Sequence, residues 1–543
     1  MKSNFKRLLC LVLCVLTLCS LVACAVDDPT PSSSGNSTVG TTKETDPGTE
    51  GTSGGDATEP SGTDATEPSG TDTTEPSGGT EEVAFTPAVY LTTPGEYIKF
   101  VRQSDDSYMV YSVSELDESN GLVVNVDLNT TYQTIEGWGA SLTESACINL
   151  WKMPEATRNA VMTSLFDADE GIGMNILRQP LGISDFSVDA TRDYVDDYDE
   201  TLESFSIAYD EENIIPLIKQ AMEIADCGDD FKVFFCSWTA PLWMKTIPEY
   251  HSKNKSTLKR EYYELFADYL VKAIQAYEDA GVPIYTITAQ NEHTGVHGIA
   301  AMYMTTDNMA TLYNMYLVPA LEEAGLDTKI LAWDFNYMSD STALLSKINS
   351  IIGGVAYHAY SGSAASGLIT SNAELYPNIP IYITEAAGMV QSASARFFRQ
   401  MDWIMDTQRR GSSAHILWNI VLDENIGPAL IDENGNSVNT IGVGMLEWNI
   451  AEQKVSYLED FYALAHFSKF VRPGAVRVDS TDLSAIDSAV QNVVYQNENG
   501  TITAVLMNND AVAFTFKIVV DDYVIEYTLP GKSGATITWN PNV

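Results

Sequence analysis

Basic residues are scarce in this sequence: 30 lysines and arginines stand against 74 aspartates and glutamates, which leaves a net charge of −44. A chain this acidic is repelled by the phosphates of DNA and RNA, so we exclude nucleic acid as a partner. The same charge argues against a stable contact between the protein surface and anionic lipid. Such acidity is typical of an extracellular protein that must stay soluble.

Cysteine is also scarce, and its positions do not indicate a disulfide framework or a zinc site. Of the seven cysteines, three lie in the first 19 residues and a fourth is Cys24. The other three are Cys147, Cys227 and Cys236, an odd number without zinc-like spacing. We expect Cys147 and Cys236 to be packed thiols in a helix and a buried strand.

Motifs for cofactors are missing as well. No Gly-x-Gly-x-x-Gly follows a predicted strand, so nothing supports a dinucleotide site. The acidic run Asp189–Asp199 suggests calcium at first sight, but it lacks the EF-hand spacing and its central glycine. We interpret this run as a solvated loop. The sequence therefore predicts no cofactor and no metal.

The first 24 residues have the pattern of an export signal. Lys2, Lys6 and Arg7 precede the short apolar run Leu8–Leu18, which is too short for a lasting transmembrane helix. The run ends in Leu-Val-Ala-Cys, which resembles the lipobox of bacterial lipoproteins. The resemblance implies cleavage before Cys24, a lipid anchor on Cys24 and a location on the extracellular face of a bacterial membrane. The alternative is an ordinary secretory signal with a chance cysteine.

Residues 25–84 have too few large apolar side chains to bury a core, and we predict a disordered tether. They are rich in threonine, glutamate, proline, serine and glycine. Three octads, beginning at Ala57, Ala65 and Thr73, each carry Thr-Glu-Pro-Ser-Gly. Such a segment holds a folded body away from a membrane or wall.

From residue 131 to 470, short apolar strands alternate with longer amphipathic stretches, which is typical of β/α units around a parallel sheet. Eight such units favour a closed (β/α)₈ TIM barrel. Helices are predicted over Thr143–Leu165, Glu212–Ala225, Thr257–Ala280, Asn308–Ala324 and Ser392–Arg409. The predicted strands are Thr131–Gly137, Asn175–Leu181, Lys232–Ser237, Ile284–Asn291, Lys329–Asp334, Gly354–Tyr360, Ile381–Glu385 and His415–Asn419.

The pattern changes after Phe470, where residues 471–543 contain β-rich stretches at hairpin spacing with a turn at Asn499-Gly500. This pattern predicts an antiparallel β-sandwich attached to the barrel. Residues 85–130 also read as strands, so we expect them to pair with the C-terminal strands in one β-domain.

Two glutamates follow buried strands of the predicted barrel. Glu292 comes after strand four and Glu385 ends strand seven. Active sites of such barrels lie at the C-terminal ends of the strands. Two carboxylates that face each other there are the usual equipment for cleaving a glycosidic bond. The sequence predicts Glu292 as an acid/base whose pKa is raised by burial and by the neighbouring Glu385.

Several motifs resemble those of glycoside hydrolase family 30, the family of the glucosylceramidases. The resemblance covers about residues 85–543 and implies a barrel with an attached β-sandwich. It also implies retaining chemistry, with Glu292 as acid/base and Glu385 as nucleophile. One departure is His293, where the family commonly has proline after the acid/base glutamate; a second is Glu144, where the family often has aspartate. The motifs are Gly137-Trp-Gly-Ala-Ser-Leu-Thr-Glu144, Arg178-Gln-Pro-Leu-Gly-Ile-Ser-Asp-Phe-Ser187, Ser237-Trp-Thr-Ala-Pro-Leu-Trp-Met-Lys245, Tyr357-His-Ala-Tyr360 and Trp418-Asn419.

The same motifs supply candidates for substrate binding, each of which has a structural alternative. Asn291 is predicted to hold the sugar 2-hydroxyl, and Trp238 and Trp418 to offer apolar faces to the sugar. Arg178 either keeps Glu385 ionised or forms a structural ion pair. Glu144 and Asp185 are candidate ligands of the glycone. His358 and Tyr360 either hydrogen-bond the nucleophile or the glycone, or pack in the core.

The leading hypothesis is a secreted, membrane-anchored β-glycosidase, most simply a glucosylceramidase-like β-glucosidase. Within the family, the alternatives are an endo-β-1,6-glucanase and a xylanase. A different class is a non-catalytic lipoprotein that binds polysaccharide. Two apposed carboxylates repel each other, which argues against a pure binding protein. The predicted partner is a β-linked glycoside or polysaccharide, with the membrane contacted only through Cys24.

Overall fold

The computed structural model describes residues 85–96, 99–189, 192–348, 352–362, 367–388, 392–430 and 442–542. The predicted signal, the lipid site Cys24 and the tether over residues 25–84 lie outside these described residues. Among the described helices, none has the length and apolarity needed to cross a membrane.

The described chain begins with four strands of a β-domain, and the fourth of them ends close to the barrel. In chain order they are β1 (Ala88–Thr92), β2 (Val101–Arg102), β3 (Tyr108–Ser112) and β4 (Leu122–Thr134).

Eight parallel strands then close a barrel, as the sequence predicts. The first pair approaches closely because a Cβ at Gly139 would lie 2.0 Å from the carbonyl oxygen of Ile176. The barrel closes where the eighth strand pairs with the first. The strands are β5 (Gly137–Ser141), β6 (Ile176–Leu181), β7 (Lys232–Ser237), β8 (Thr286–Thr288), β9 (Lys329–Asn336), β10 (Ile352–His358), β11 (Ile381–Glu385) and β12 (Ser412–Leu417).

The first predicted barrel strand, Thr131–Gly137, was wrong. Residues up to Thr134 belong to β4, which pairs with a C-terminal strand, and the barrel strand begins only at Gly137. The run of β-branched and aromatic residues was correctly recognised as a strand but assigned to the wrong sheet. The true strand, Gly-Trp-Gly-Ala-Ser, is fully buried, and its glycines are needed because Asn175 and Ile176 pack where a Cβ on Gly137 or Gly139 would lie.

Helices cover the barrel between its strands. The single helix predicted over Thr143–Leu165 is two helices, because Pro154 precedes the second and cannot continue the first. A π-helical turn at Tyr313–Leu317 likewise interrupts another predicted helix. The α-helices are α1 (Glu144–Lys152), α2 (Glu155–Phe166), α3 (Ala208–Asn213), α4 (Ile215–Ala225), α5 (Tyr263–Asp279), α6 (Thr306–Leu312), α7 (Val318–Ala324), α8 (Asp340–Leu345), α9 (Leu368–Leu375), α10 (Ala393–Arg409) and α11 (Glu459–Ser468).

Two further sheets complete the fold. A small sheet after the eighth barrel strand consists of β13 (Val421–Asp423), β14 (Leu446–Asn449) and β15 (Lys454–Tyr457). The N-terminal strands pair with the C-terminal ones, as predicted, in a ten-stranded sheet of order β2-β1-β21-β18-β17-β16-β4-β19-β20-β3. Its C-terminal strands are β16 (Val476–Ser480), β17 (Val490–Gln496), β18 (Ile502–Asn508), β19 (Phe514–Val520), β20 (Tyr523–Leu529) and β21 (Ser533–Trp539).

Candidate active site

The predicted site residues meet at the C-terminal end of the barrel. Glu385 is the last residue of β11, and Glu292 follows β8 in a turn whose Gly295 N–H donates to the Glu292 carbonyl. Glu292, Asp334 and Asn419 all have positive φ, at 46°, 58° and 54°. Such backbone strain at three strand ends is typical of residues that a fold holds for chemistry.

A cavity of about 170 Å³ opens at these strand ends. Two tryptophans form one wall: the rings of Trp238 and Trp418 stack with their centroids 5.3 Å apart and 24° between their planes. Seven predicted site residues are thus brought together around one small space. The lining residues are Asp185, Trp238, Asn291, Glu292, Ile299, Tyr360, Glu385, Ala387, Trp418 and Gly442.

Arg178 lies beneath this cavity as a fully buried cation. Its Nη1 donates to Oε1 of Glu385 at 2.6 Å, and its Nη2 donates to Oδ2 of Asp334 at 3.0 Å and to Oδ1 of Asn291 at 2.8 Å. The guanidinium also lies 4.8 Å from the centroid of the Trp238 ring. Arg178 therefore orients the nucleophile candidate and the amide beside it at the same time.

His358 bridges the two candidate catalytic glutamates. Its Nδ1 lies 2.9 Å from Oε1 of Glu292 and 3.5 Å from Oε2 of Glu385, while its Nε2 lies 3.2 Å from Oδ1 of Asp334. Oε1 of Glu292 and Oε2 of Glu385 both lie near this Nδ1, so the distance between the two oxygens is at most about 6.4 Å, the sum of the two contact distances. Burial lowers the pKa of His358, but the charge of Glu385 and the contacts with Asp334 and Glu292 outweigh it and raise the pKa to about 10. His358 is thus an imidazolium.

The pKa order of the glutamates in the free site differs from the predicted one. Burial raises the pKa of Glu292, but its contacts with His297 and His358 outweigh burial and lower the pKa to about 2. Burial raises the pKa of Glu385, and the cations of His358 and Arg178 oppose this shift. The sequence prediction considered only burial and one neighbouring carboxylate, and it missed the imidazoles that hold Glu292 ionised.

Two residues of this site had no role in the sequence prediction. Asp334 lies in β9, two residues before the strand ends at Asn336, is fully buried, and accepts from Arg178, His358, Thr384 and Cys236. The strand-end rule that identified the two glutamates applies to it equally. His297 lies in the loop after Glu292, with its Nε2 2.9 Å from Oε2 of Glu292. No periodicity or motif in the sequence marks this loop residue.

Two predicted substrate ligands lie outside the cavity lining. Glu144 starts α1, accepts from the backbone N–H of Val188 at 3.1 Å and lies 3.6 Å from the Nε of Arg192. It is positioned to shape the glycone pocket only through the loop that it holds. His358 is fully buried and contacts carboxylates, so of its two predicted roles the contact with the glutamates is the one its position allows.

The second group of sequence features to be located comprises His293, which departs from the family pattern, and the acidic run. His293, in place of proline, is buried with its ring 5.1 Å from that of Trp333, and burial lowers its pKa to about 4. In the run Asp189–Asp199, whose residues 190 and 191 are outside the described set, Asp199 accepts from Thr201 and Ser204. The Asp199 carboxylate is thus hydrogen-bonded to residues that follow it in the same loop.

Comparison with known proteins agrees with this geometry. The model of the glycosyl hydrolase family 30 TIM-barrel domain matches residues 135–471, and that of the family's β-sandwich domain matches residues 474–537. The putative glucosylceramidase 1 of Caenorhabditis elegans is 26% identical over 446 residues, which cover 77% of this chain and 83% of the relative. The endo-1,6-β-D-glucanase of Neurospora crassa is 27% identical over 423 residues, 73% of this chain and 86% of the relative.

Solved structures show the same architecture. An endo-β1,6-glucanase superimposes with a TM-score of 0.73 at 26% identity, covering 84% of this chain and 99% of the other. The match extends over the barrel and the β-domain together.

Proposed function

This chain belongs to glycosyl hydrolase family 30, and from that premise we propose that it is a retaining β-glucosidase of the glucosylceramidase type. The observation that carries the proposal is the separation of Glu292 and Glu385, whose closest approach through His358 is at most about 6.4 Å. Inverting enzymes need about 6.5–9.5 Å between the carboxyl groups to admit a water molecule, and retaining enzymes need about 5–5.5 Å. The limit on this oxygen pair lies just below the inverting range and is compatible with the retaining mechanism.

In the proposed reaction, Glu385 attacks the anomeric carbon while Glu292 protonates the departing oxygen. Arg178 stabilises the attacking carboxylate through its 2.6 Å contact. Water then displaces the sugar from Glu385, with Glu292 as the base. His358 lies against both carboxylates, so its charge stabilises the one that is ionised in each step: Glu385 before the attack, and Glu292 before it takes the proton of water.

The cavity supports recognition of a single sugar residue. Its volume of about 170 Å³ is below the 300 Å³ at which pockets for drug-sized ligands begin. Trp238 and Trp418 present apolar rings to the sugar, and Asp185 offers a carboxylate to its hydroxyls. Since Oδ1 of Asn291 is held by Arg178, its amide nitrogen is the group available to the 2-hydroxyl. A one-sugar pocket favours removal of a terminal residue.

The second candidate is an endo-β-1,6-glucanase. It is favoured by the solved endo-β1,6-glucanase, 99% of whose chain is covered here at a TM-score of 0.73. The loops around the cavity decide between the candidates, and residues 431–441, directly before Gly442, are outside the described set.

A substrate panel tests the proposal. Purified residues 83–543 are incubated with 4-nitrophenyl β-glucoside, glucosylceramide, β-1,6-glucan and xylan, with Glu385→Gln as the control. We expect hydrolysis of the first two substrates by the unaltered protein only. Depolymerisation of β-1,6-glucan to oligosaccharides, without cleavage of glucosylceramide, would favour the second candidate. Sugar binding without hydrolysis of any substrate would refute both candidates and favour a binding protein.

We propose further that the chain is exported and anchored through a lipid on Cys24, outside a bacterial membrane. The supporting observation is the basic and apolar N-terminal pattern that ends in Leu-Val-Ala-Cys. Mass spectrometry of the mature N-terminus tests the anchor directly. A diacylated Cys24 is expected, and Cys24→Ala is expected to move the protein from the membrane fraction to the medium. An unmodified N-terminus at another position would contradict the anchor.

A further inference from the structure

His297 contacts the second carboxylate oxygen of Glu292, the proposed acid/base. His358 contacts Oε1 of Glu292, and the Nε2 of His297 lies 2.9 Å from Oε2. His358 is fully buried between carboxylates, whereas the side chain of His297 is 28% exposed. Of the two imidazoles on Glu292, only that of His297 reaches solvent, and it does so through the rest of its side chain, because its Nε2 is buried against Glu292.

The loop is built to hold this imidazole in place. The backbone N–H of His297 donates to Oγ of Ser252 at 2.8 Å, and the N–H of Ser252 donates to the His297 carbonyl at 3.2 Å. Ser252 Oγ also donates to the carbonyl of Gly295 at 3.0 Å. A Cβ on Gly295 would lie 1.8 Å from the Nε2 of His297. The imidazole therefore needs glycine at position 295 to fold back over Glu292.

The charges around His297 favour its protonated form. Glu292 faces it directly, and Asp185 and Glu385 add negative potential from two other strand ends. Lys253, which packs over Gly298 from the neighbouring loop, and His358 are the nearby cations. With Asp185 the site holds four buried carboxylates, and a charged His297 joins Arg178 and His358 to offset three of them, Glu292, Asp334 and Glu385. Charge balance is what makes such a buried group of ions tolerable.

We propose that His297 is a positioning residue that stores the acid proton and delivers it to Glu292 when substrate fills the cavity. This inference rests on the proposed glycosidase function and deepens it. Substrate excludes water, and a neutral imidazole beside a neutral carboxyl is favoured over an ion pair in a less polar site. The proton moves from Nε2 of His297 to Oε2 of Glu292.

The proton is conserved through the cycle. Glu292 gives it to the leaving oxygen as the bond from that oxygen to the anomeric carbon breaks and the bond to Glu385 forms. In the second step, water bonds to the anomeric carbon and gives a proton to Glu292, and the bond to Glu385 breaks. The proton returns to His297 when product leaves.

The test is the pH dependence of kcat/KM for 4-nitrophenyl and 2,4-dinitrophenyl β-glucosides. The Glu292 contact raises the pKa of His297, so activity of the unaltered enzyme persists above pH 6.5 and falls as pH rises through the raised pKa. In His297→Gln, Glu292 itself must hold the acid proton. The alkaline limb of the pH profile should therefore shift to lower pH by about two units, the difference between the ordinary pKa values of histidine and glutamate. The 2,4-dinitrophenyl substrate needs little protonation and should lose less than about twofold.

Two further variants and one measurement complete the test. Gly295→Ala keeps the imidazole but displaces it, so it should move the alkaline limb in the same direction. His251→Gln, on the neighbouring loop, should keep the profile of the unaltered enzyme. The alkaline pKa of the unaltered enzyme should also change with temperature as an imidazole does and a carboxyl does not.

An unshifted limb in His297→Gln, or equal losses on both substrates, would overturn the role of His297 while leaving the glycosidase function intact. An unaltered enzyme that hydrolyses neither substrate would instead refute the proposed function. A temperature-independent alkaline pKa would contradict the proposal even if both loop variants failed to fold.

Discussion

Asp334 lies directly behind His358, with its Oδ1 3.2 Å from the Nε2 of the imidazole. Asp334 is fully buried and does not line the cavity, yet it supports His358, whose imidazole contacts both of the proposed catalytic glutamates. The Asp334 carboxylate also accepts hydrogen bonds from Arg178 and from the hydroxyl of Thr384. A carboxylate two contacts away from the sugar thus orients the cations on which both glutamates depend.

Replacing this carboxylate should therefore impair both folding and catalysis. In Asp334→Asn, the buried Arg178 and His358 lose a balancing charge, so the free energy of unfolding should fall by about 3 kcal/mol or more. The pKa of His358 should fall as well, because the contact with Asp334 helps to raise it. Urea unfolding and kcat on 4-nitrophenyl β-glucoside measure the two effects.

The matched control is Asp406→Asn, which removes a half-buried carboxylate of helix α10 that lies 2.8 Å from Arg410. Surface pairs of this kind contribute less than about 1 kcal/mol, so little change is expected. Equal stabilities for the two variants would contradict the supporting role of Asp334.

Replacing the proposed acid should affect substrates according to their leaving groups. In Glu292→Gln, kcat/KM for 4-nitrophenyl β-glucoside should fall by roughly 10²–10⁴-fold, since proton donation is lost. The loss for 2,4-dinitrophenyl β-glucoside should be much smaller, because its leaving group departs without a proton. Azide, which needs no base, should restore turnover by attacking the glycosyl-enzyme. The same loss on both substrates, without azide rescue, would remove Glu292 from the role of acid/base.

The hydroxyl of Tyr360 should matter to the substrate and little to the fold. Tyr360 lines the cavity, so Tyr360→Phe removes one polar contact to the glycone or to Glu385 and should lower kcat/KM by about tenfold. Tyr337→Phe is the control, because its hydroxyl is buried beside Tyr357, has no hydrogen-bond partner among the residues that the structure describes, and lies away from the cavity. A Tyr360→Phe enzyme as active as the control would show that its hydroxyl does not contact the sugar.

A buried histidine on the barrel should make the fold sensitive to acid. Burial lowers the pKa of His415 to about 3 from 6.5. Between these two pH values only the unfolded state binds the proton, so this residue costs stability as pH falls below 6.5 and has no such effect above it. His415→Gln retains a polar partner for Gln400 but does not titrate.

The unfolding free energies of the two proteins should therefore run parallel above pH 6.5. Below it they should converge or cross, with the difference changing by about 1.4 kcal/mol per pH unit in favour of the variant. Urea unfolding from pH 8 to pH 4 measures this difference. A constant difference across that range would show that His415 binds its proton with the same pKa in the native and unfolded states, which would contradict the lowered pKa.

Most of the barrel could be predicted because its strands have strong local patterns. Lys232–Ser237 and Ile381–Glu385 are strands with the predicted bounds, since each is a short, mostly apolar run that ends in a polar residue. The first barrel strand was misplaced because β4, with its β-branched and aromatic residues, has the stronger local pattern. Which sheet a strand joins is decided by partners distant in sequence, and β4 found its partner at Val476–Ser480.

The positions of site residues at strand ends could be predicted from the sequence. Their protonation states could not, because these depend on contacts between residues that are not adjacent in the chain. Glu292 and Glu385 lie at strand ends, and the resemblance named both. The low pKa of Glu292 could not be predicted, because it depends on His358 and His297, which are 66 and 5 positions away along the chain. Distances between loops and strand ends are set by the closed barrel and are invisible to local patterns.

The most direct test of the central claim, that Glu385 is the nucleophile of a retaining β-glucosidase, is to trap the glycosyl-enzyme. The protein is incubated with an activated 2-deoxy-2-fluoro-β-glucoside, whose fluorine slows breakdown of the intermediate, and peptides are then sequenced by mass spectrometry. One fluoroglucosyl group on Glu385, absent in Glu385→Gln, is the result we predict. A group on another residue would contradict the assignment of Glu385, and hydrolysis of β-glucosides with inversion and no trapped sugar would contradict the mechanism.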